Sequence, residues 1–119
     1  GDLDGDGDPD IVINYLLSAA TLFENQLCGG HHLLVDLRWP PSRNPYAIGA
    51  TVELDTSIGT LTRTVRVASG YASSGPATLH FGLPVDAVVN TIRVVWPDGI
   101  DYVTDIVPDR SAQIVVTRE

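Results

Sequence analysis

The sequence has one cysteine, Cys28, and no methionine. A single cysteine excludes a disulfide within the chain, so we expect a small, half-buried thiol, with an intermolecular disulfide as the alternative. No apolar run approaches the ~20 residues that a transmembrane helix needs, and no segment resembles a signal peptide. The composition therefore indicates neither a disulfide-stabilised scaffold nor a membrane-spanning helix.

Positive charge is also scarce, since seven arginines and no lysine stand against fifteen acidic residues, for a net charge of -8. This balance argues against nucleic acids and anionic membranes as partners, because both would be repelled. Much of the negative charge lies in the opening stretch GDLDGDGDPD, at Asp2, Asp4, Asp6, Asp8 and Asp10. Cations are therefore the natural partners of this segment.

The rest of the chain alternates apolar and polar residues with a period of two and is rich in β-branched residues, as β-strands are. Eight segments show this pattern: 11–15, 22–27, 32–39, 50–54, 61–68, 78–81, 91–96 and 111–117. Turn residues separate them, and the one helix candidate, 16–22, is interpreted as a loop. The sequence predicts an all-β protein, an antiparallel β-sandwich with an N-terminal Asp-rich loop and an extension strand.

The opening stretch fits the pattern D-x-D-x-D-G-x-x-D, the first nine positions of an EF-hand-type calcium loop. Calcium takes six to eight oxygen ligands, and short aspartate side chains at alternate positions of a tight loop can all turn inward. Asp2, Asp4, Asp6 and Asp10 are the predicted side-chain ligands. Asp8 is expected to contribute its backbone carbonyl while its side chain faces solvent. The metal-site prediction therefore comprises all five aspartates, with Ca²⁺ as the ion.

One departure from the EF-hand pattern and one alternative explanation bear on this interpretation. The residue at the twelfth position is Ile13, where an EF-hand has a glutamate, so a calcium loop leading into a strand replaces the helix-loop-helix motif. The alternative is a flexible acidic linker, which the composition alone would permit. The register of Asp and Gly, followed at once by the strand IVINY, favours the calcium loop.

Two resemblances to known families follow from these motifs. DLDGDGDPDIVI resembles the calcium loop and following strand of an FG-GAP or VCBS repeat, the blade unit of integrin-like β-propellers, and LFENQ resembles the end of such a blade. From residue 31 onward, HHLLVDLRW, SRNPYAIGATVEL, RVASGYASSGPATLHFGL and IRVVWPDG are similar in order and spacing to the ASPIC and UnbV domain. Pro45 departs from the family pattern. These resemblances predict two parts, an FG-GAP-like fragment over 1–27 and an ASPIC and UnbV-like sandwich over 28–119.

The second resemblance implies an extracellular or surface-associated, calcium-linked protein, and no catalytic residue can be transferred from it. The matching positions are expected to be structural; they are Asn44, Gly49, Gly70, His80, Gly82, Trp96 and Gly99. We expect Gly49 and Gly82 to permit bulges or a close backbone approach. Residues 97–99 are expected to form a hairpin turn, and Trp96 to anchor the core or an edge.

An enzymatic function is the weaker prediction. Candidate acid-base or nucleophilic residues are present, namely His31, His32, His80, Asp36, Asp55, Ser73 and Ser74, but none lies in a recognisable catalytic motif. The adjacent pair His31 and His32 lacks the spacing of a zinc motif. His80 is expected to be a hydrogen-bonded core histidine.

Two non-enzymatic functions remain open. In one, the chain is a ligand-binding module of a larger secreted propeller protein. In the other it is a complete subunit in which IVINY lacks its blade partners. The strand would then pair with a sheet edge of its own domain, giving a calcium-stabilised monomer, or insert into the next copy, building a filament. The prediction is a non-catalytic, extracellular, calcium-binding module with a structural or adhesive role. Its expected partners are further copies of the chain, or an extracellular protein or glycan.

Overall fold

The structure is a computed structural model that describes residues 1–6, 8–26, 29–68, 70–71, 73–105, 108 and 111–119. Every regular element in these ranges is a strand, which confirms the predicted all-β class. The strands are β1 (Ile11–Ile13), β2 (Thr21–Phe23), β3 (Gly30–Arg38), β4 (Thr51–Thr56), β5 (Gly59–Thr64), β6 (Leu79–Pro84), β7 (Val89–Val95), β8 (Asp101–Thr104) and β9 (Ala112–Thr117). The described residues contain no helix long and apolar enough to cross a membrane.

Two sheets form the body of the sandwich. One has the strand order β6-β3-β9 and the other the order β5-β4-β7-β8. The pairs are antiparallel except for β3 and β9, which run parallel from Leu33 opposite Ala112 to Arg38 opposite Thr117. The predicted sandwich is therefore present, but its three-stranded sheet is mixed rather than purely antiparallel.

A single apolar core lies between the two sheets. Leu33, Val35 and Leu37 alternate along β3 and point into it, and Phe81 on the neighbouring strand is 1% exposed. Core residues of the opposite sheet complete the cluster; they include Val52, Leu54, Ile92 and Val94. Burial of these side chains removes apolar surface from water, and this hydrophobic contribution is the main free-energy term that stabilises the sandwich.

The turn between β7 and β8 forms as the sequence predicted. Gly99 N donates a hydrogen bond to Trp96 O at 2.9 Å, and Trp96 N donates to Ile100 O at 2.8 Å. Gly99 has a φ of 86°, a conformation that residues with a Cβ rarely adopt. Trp96 is 3% exposed and belongs to the core, as expected.

Two of the structural expectations for other residues are wrong. Gly82 lies in regular register opposite His32, and a Cβ at this position would meet no atom within 4 Å. Neither a bulge nor a close backbone approach therefore explains why glycine occupies this position. His80 is half-buried and alternates with the core residues Leu79 and Phe81, so it faces away from the core. A Cβ at Gly49 would also meet no atom within 4 Å, so the expected close approach is absent there too, but its φ of 92° favours glycine.

The N-terminal residues form a small hairpin apart from the sandwich. In the described part of the chain β1 pairs with β2, with Ile11 opposite Phe23 and Ile13 opposite Thr21. The first three residues of IVINY therefore have a pairing strand within the chain. Ile11, Val12 and Phe23 nevertheless remain more than half exposed. Two-stranded sheets of this kind have little stability alone, so contacts at the ends of the hairpin must hold it.

Candidate functional site

Residues 1 and 10 meet, and we call the segment 1–10, of which the structure describes 1–6 and 8–10, the Asp loop. Its two ends are joined because Asp10 N donates to Gly1 O at 2.8 Å and Gly1 N donates to Asp10 O at 3.1 Å. Within the loop, aspartate side chains accept hydrogen bonds from nearby backbone N–H groups: Gly5 N to Asp2 Oδ1 at 2.7 Å and Asp6 N to Asp4 Oδ1 at 3.2 Å. These short-range hydrogen bonds curl the chain so that alternate side chains converge.

Three carboxylates converge within the Asp loop. Asp2, Asp4 and Asp10 each place a carboxylate oxygen within 4.8 Å of the others. Such a set suits a hard divalent cation, which prefers oxygen ligands. Asp6 is not part of the set, and its Oδ1 accepts a hydrogen bond from Asp8 N at 3.1 Å.

Asp10 connects the Asp loop to the hairpin. It is 5% exposed, and its Oδ2 accepts a hydrogen bond from Leu3 N at 2.7 Å while its Oδ1 accepts one from Asn25 N at 2.9 Å. The hydrogen bonds from Asn25 and Leu3 lower the pKa of Asp10, because they favour the charged carboxylate. Asp10 is therefore held ionised, and each of its oxygens keeps a lone pair for a metal.

Asp4 and Asp8 have the opposite electrostatic character, since the pKa of each is raised. The hydrogen bond from Asp6 N favours the ionised form of Asp4, but desolvation and the charges of Asp6 and Asp10 outweigh it and raise the pKa of Asp4. Desolvation, followed by the charges of Asp6 and Asp10, raises the pKa of Asp8. The negative charges thus repel one another, and a bound cation would relieve that repulsion.

The Asp8 residue is only partly exposed, whereas the sequence analysis expected its side chain to face solvent. Its Oδ1 is buried and has no hydrogen-bond partner among the described residues. A buried carboxylate oxygen without a partner is costly, so such an atom is a natural place for a missing donor or cation.

Asp8 lines a cavity of about 320 Å³ between the Asp loop and the sandwich, which we call the junction cavity. The residues that line this cavity include Asp6, Asp8, His31, His32, His80 and Gly82. The chain has three histidines, and all of them line this cavity. The rings of His32 and His80 stack with their centroids 6.0 Å apart and their planes at 12°.

The remaining polar residues considered for catalysis lie apart from this cavity. Asp36 is 4% exposed and binds Thr78 and Gln113 on the two neighbouring chain segments. Asp55 accepts a hydrogen bond from Asn90, and Ser74 hydrogen-bonds backbone groups of its own loop. Ser73 forms an isolated bridge with Gly70. The structure thus brings the three histidines together, but not with these residues.

Fold and site define a β-sandwich domain that carries a peripheral hairpin and an aspartate-rich loop. Comparison with protein families identifies the domain: the model of the ASPIC and UnbV family matches residues 39–118, which is more than half of the chain. The chain belongs to the ASPIC and UnbV family. Comparison with curated proteins gave no match.

The family match begins after β3 and does not cover the Asp loop or the hairpin. The resemblance of residues 1–27 to an FG-GAP repeat therefore remains a prediction. β3 nevertheless forms the centre of the sheet β6-β3-β9 and contributes three residues to the core. The folded sandwich thus includes a strand that precedes the matched segment.

Proposed function

We propose that the protein is a non-catalytic, extracellular structural or adhesion module that binds calcium through the Asp loop. The observation that supports this proposal most directly is the convergence of the Asp2, Asp4 and Asp10 carboxylates. Asp6 and the backbone carbonyl of Asp8 remain predicted ligands from the sequence pattern. Calcium would supply positive charge to this loop, and the protein would supply oxygen ligands from a segment already curled by its own hydrogen bonds.

The role of calcium would be mechanical. The Asp loop precedes β1 directly, and Asp10 ties the loop to the end of β2 through Asn25 N. A cation held by the loop would therefore rigidify both strands of the hairpin at one end. Binding that favours the folded state stabilises it in proportion to the logarithm of the ligand concentration above Kd.

Calcium titration by calorimetry tests the proposal. The wild-type chain is expected to bind calcium, and Asp4→Asn is expected to weaken binding by about tenfold to a hundredfold, because affinity in such loops depends on the number of charged ligands. Asp86→Asn removes an exposed carboxylate from the turn after β6 and is the matched control, with unchanged affinity expected. Absence of calcium binding to the wild type, or equal affinity in Asp4→Asn, would contradict the proposal.

A second form of the function is self-assembly into a filament through the N-terminal strand. The observation that favours it is the exposed hairpin, in which Ile11, Val12, Leu22 and Phe23 are all more than half exposed. One edge of β1 is paired with β2, so donation would use the other edge of β1 or would exchange β2 for an edge strand of another copy. The alternative partner of the same apolar surface is a further domain of a larger secreted protein.

Electron microscopy of the purified chain, with calcium and then with excess chelator, separates these possibilities. Filaments that disappear on chelation are expected if calcium rigidifies a donated strand. Dispersed particles in both conditions would count against self-assembly and favour a calcium-bound module of a larger protein.

A further inference from the structure

The junction cavity combines features that the calcium proposal does not use. It is lined both by the chain's three histidines, which come from β3 and β6, and by Asp6 and Asp8 of the Asp loop. Calcium has no need of imidazole, since it takes oxygen ligands. Imidazole nitrogen together with carboxylate oxygen is instead a ligand set for zinc and related transition metals.

The register of the sheet explains why two of these histidines share a face. His32 pairs with Gly82, and Leu34 pairs with His80 in the antiparallel pair of β3 and β6. His32 and His80 are therefore diagonal neighbours, on the face turned away from the core. Gly82 has no side chain opposite His32, and a Cβ there would meet open space, so the cavity stays open beside the imidazoles.

The third potential metal ligand at the junction cavity, after His32 and His80, is the Asp8 carboxylate. Its Oδ1 is buried without a hydrogen-bond partner among the described residues, and Asp8 lines the same cavity as His32 and His80. A cation bound there would give this oxygen the partner it lacks.

We infer that the junction cavity binds a divalent transition-metal ion of the zinc class through His32, His80 and Asp8. Among the described residues, the set already gathered within 4.8 Å is that of Asp2, Asp4 and Asp10, so the two imidazoles and the Asp8 carboxylate must move closer together on binding. Both rings are only half-buried and border a cavity of about 320 Å³, which leaves room for this movement. The site would join the Asp loop to the sandwich, a role distinct from the proposed calcium site.

Zinc titration by calorimetry at neutral pH, with calcium held at saturation, tests the inference. The wild type is expected to bind one Zn²⁺, and His32→Gln, His80→Gln and Asp8→Asn are each expected to weaken binding by about tenfold or more, since each removes a ligand. Asp86→Asn, which makes the same carboxylate-to-amide change outside the cavity, is expected to bind zinc as the wild type does. Thermal unfolding of each variant shows whether the sandwich is intact, and visible absorption of the Co²⁺ complex reports nitrogen and oxygen coordination independently.

The outcomes separate this site from the calcium site. Zinc binding that survives in His32→Gln and His80→Gln, or is lost only in Asp4→Asn, would place the ion on the Asp loop and overturn the inference. Absence of zinc binding to the wild type would overturn it too, leaving the stacked imidazoles as a packing contact. If the wild type binds no calcium but shows histidine-dependent zinc binding, the calcium proposal fails and the zinc site stands.

Discussion

Replacing Asp10 with alanine is expected to abolish measurable calcium binding and to release the Asp loop from the hairpin. Asp10 is one of the three converging carboxylates, and it also accepts the hydrogen bonds from Leu3 N and Asn25 N. Alanine removes a charged ligand and both hydrogen bonds, so calcium affinity should fall by about a hundredfold or more. Calorimetry measures the affinity, and hydrogen exchange at the Leu3 and Asn25 amides measures the release, with faster exchange expected at both.

The sandwich itself should be unaffected by this change. The apolar core consists of residues from Leu33 to Trp96, with partly buried residues of β9 packed against it, and none of them belongs to the Asp loop or the hairpin. Core amides should therefore keep their protection in Asp10→Ala. Asp10→Asn is an informative intermediate, because its side-chain oxygen can still accept one of the two hydrogen bonds. Unchanged calcium affinity in Asp10→Ala would contradict the assignment of Asp10 as a ligand, whatever happened to the loop.

The hydrogen bonds that curl the Asp loop are local, so a sequence pattern can anticipate them. Aspartates at alternate positions form hydrogen bonds over two or three residues, and such contacts depend little on the rest of the fold. The placement of Asp8 was not predictable in the same way. Its Oδ1 is buried where the loop meets the sandwich, and the spacing of residues within the loop contains no information on that contact.

The strands show the same division between local and distant contacts. Strong alternation located eight strands, but β8 (Asp101–Thr104) was missed, because DYVT is short and mostly exposed and forms through pairing with β7. In the segment 61–68, Arg63 has the same parity as Leu61 and Val65, so the alternation alone does not decide which face is buried. The structure resolves this because β5 ends at Thr64, and Val65 enters the core beyond the strand through its hydrogen bond to Ala50 O.

The junction cavity was missed for a related reason. Zinc motifs are recognised by short spacings along the chain, and the adjacent His31 and His32 have no such spacing. His80 reaches His32 only through the pairing of β3 with β6. A sequence signal was nonetheless present, since the chain has only three histidines and places two of them in one segment and the third in another, both of which resemble the same sandwich family.

Replacing Asp36 with alanine is expected to destabilise the sandwich by about 3 kcal/mol. Asp36 lies in the central strand of the three-stranded sheet and is 4% exposed. Its Oδ1 accepts a hydrogen bond from Thr78 Oγ1 at 2.8 Å, and its Oδ2 accepts one from Gln113 Nε2 at 2.7 Å. Alanine would leave both donors without this acceptor in a largely desolvated position. Chemical denaturation at neutral pH measures the loss, and the smaller effect of Asp36→Asn, which keeps one acceptor, serves as the control.

The same carboxylate should make stability depend on pH. Burial raises the pKa of Asp36, but the hydrogen bonds from Gln113 and Thr78, with the nearby Arg38, outweigh it and hold the pKa below its usual value. A carboxyl whose pKa is lower in the folded state stabilises the fold above its unfolded pKa of about 3.9, and that stabilisation is lost as the pH falls through the folded pKa. The difference in unfolding free energy between wild type and Asp36→Asn should therefore be largest near neutral pH and should shrink on acidification below about pH 4. A difference that stays constant over this range would show that Asp36 contributes through shape and not through its charge.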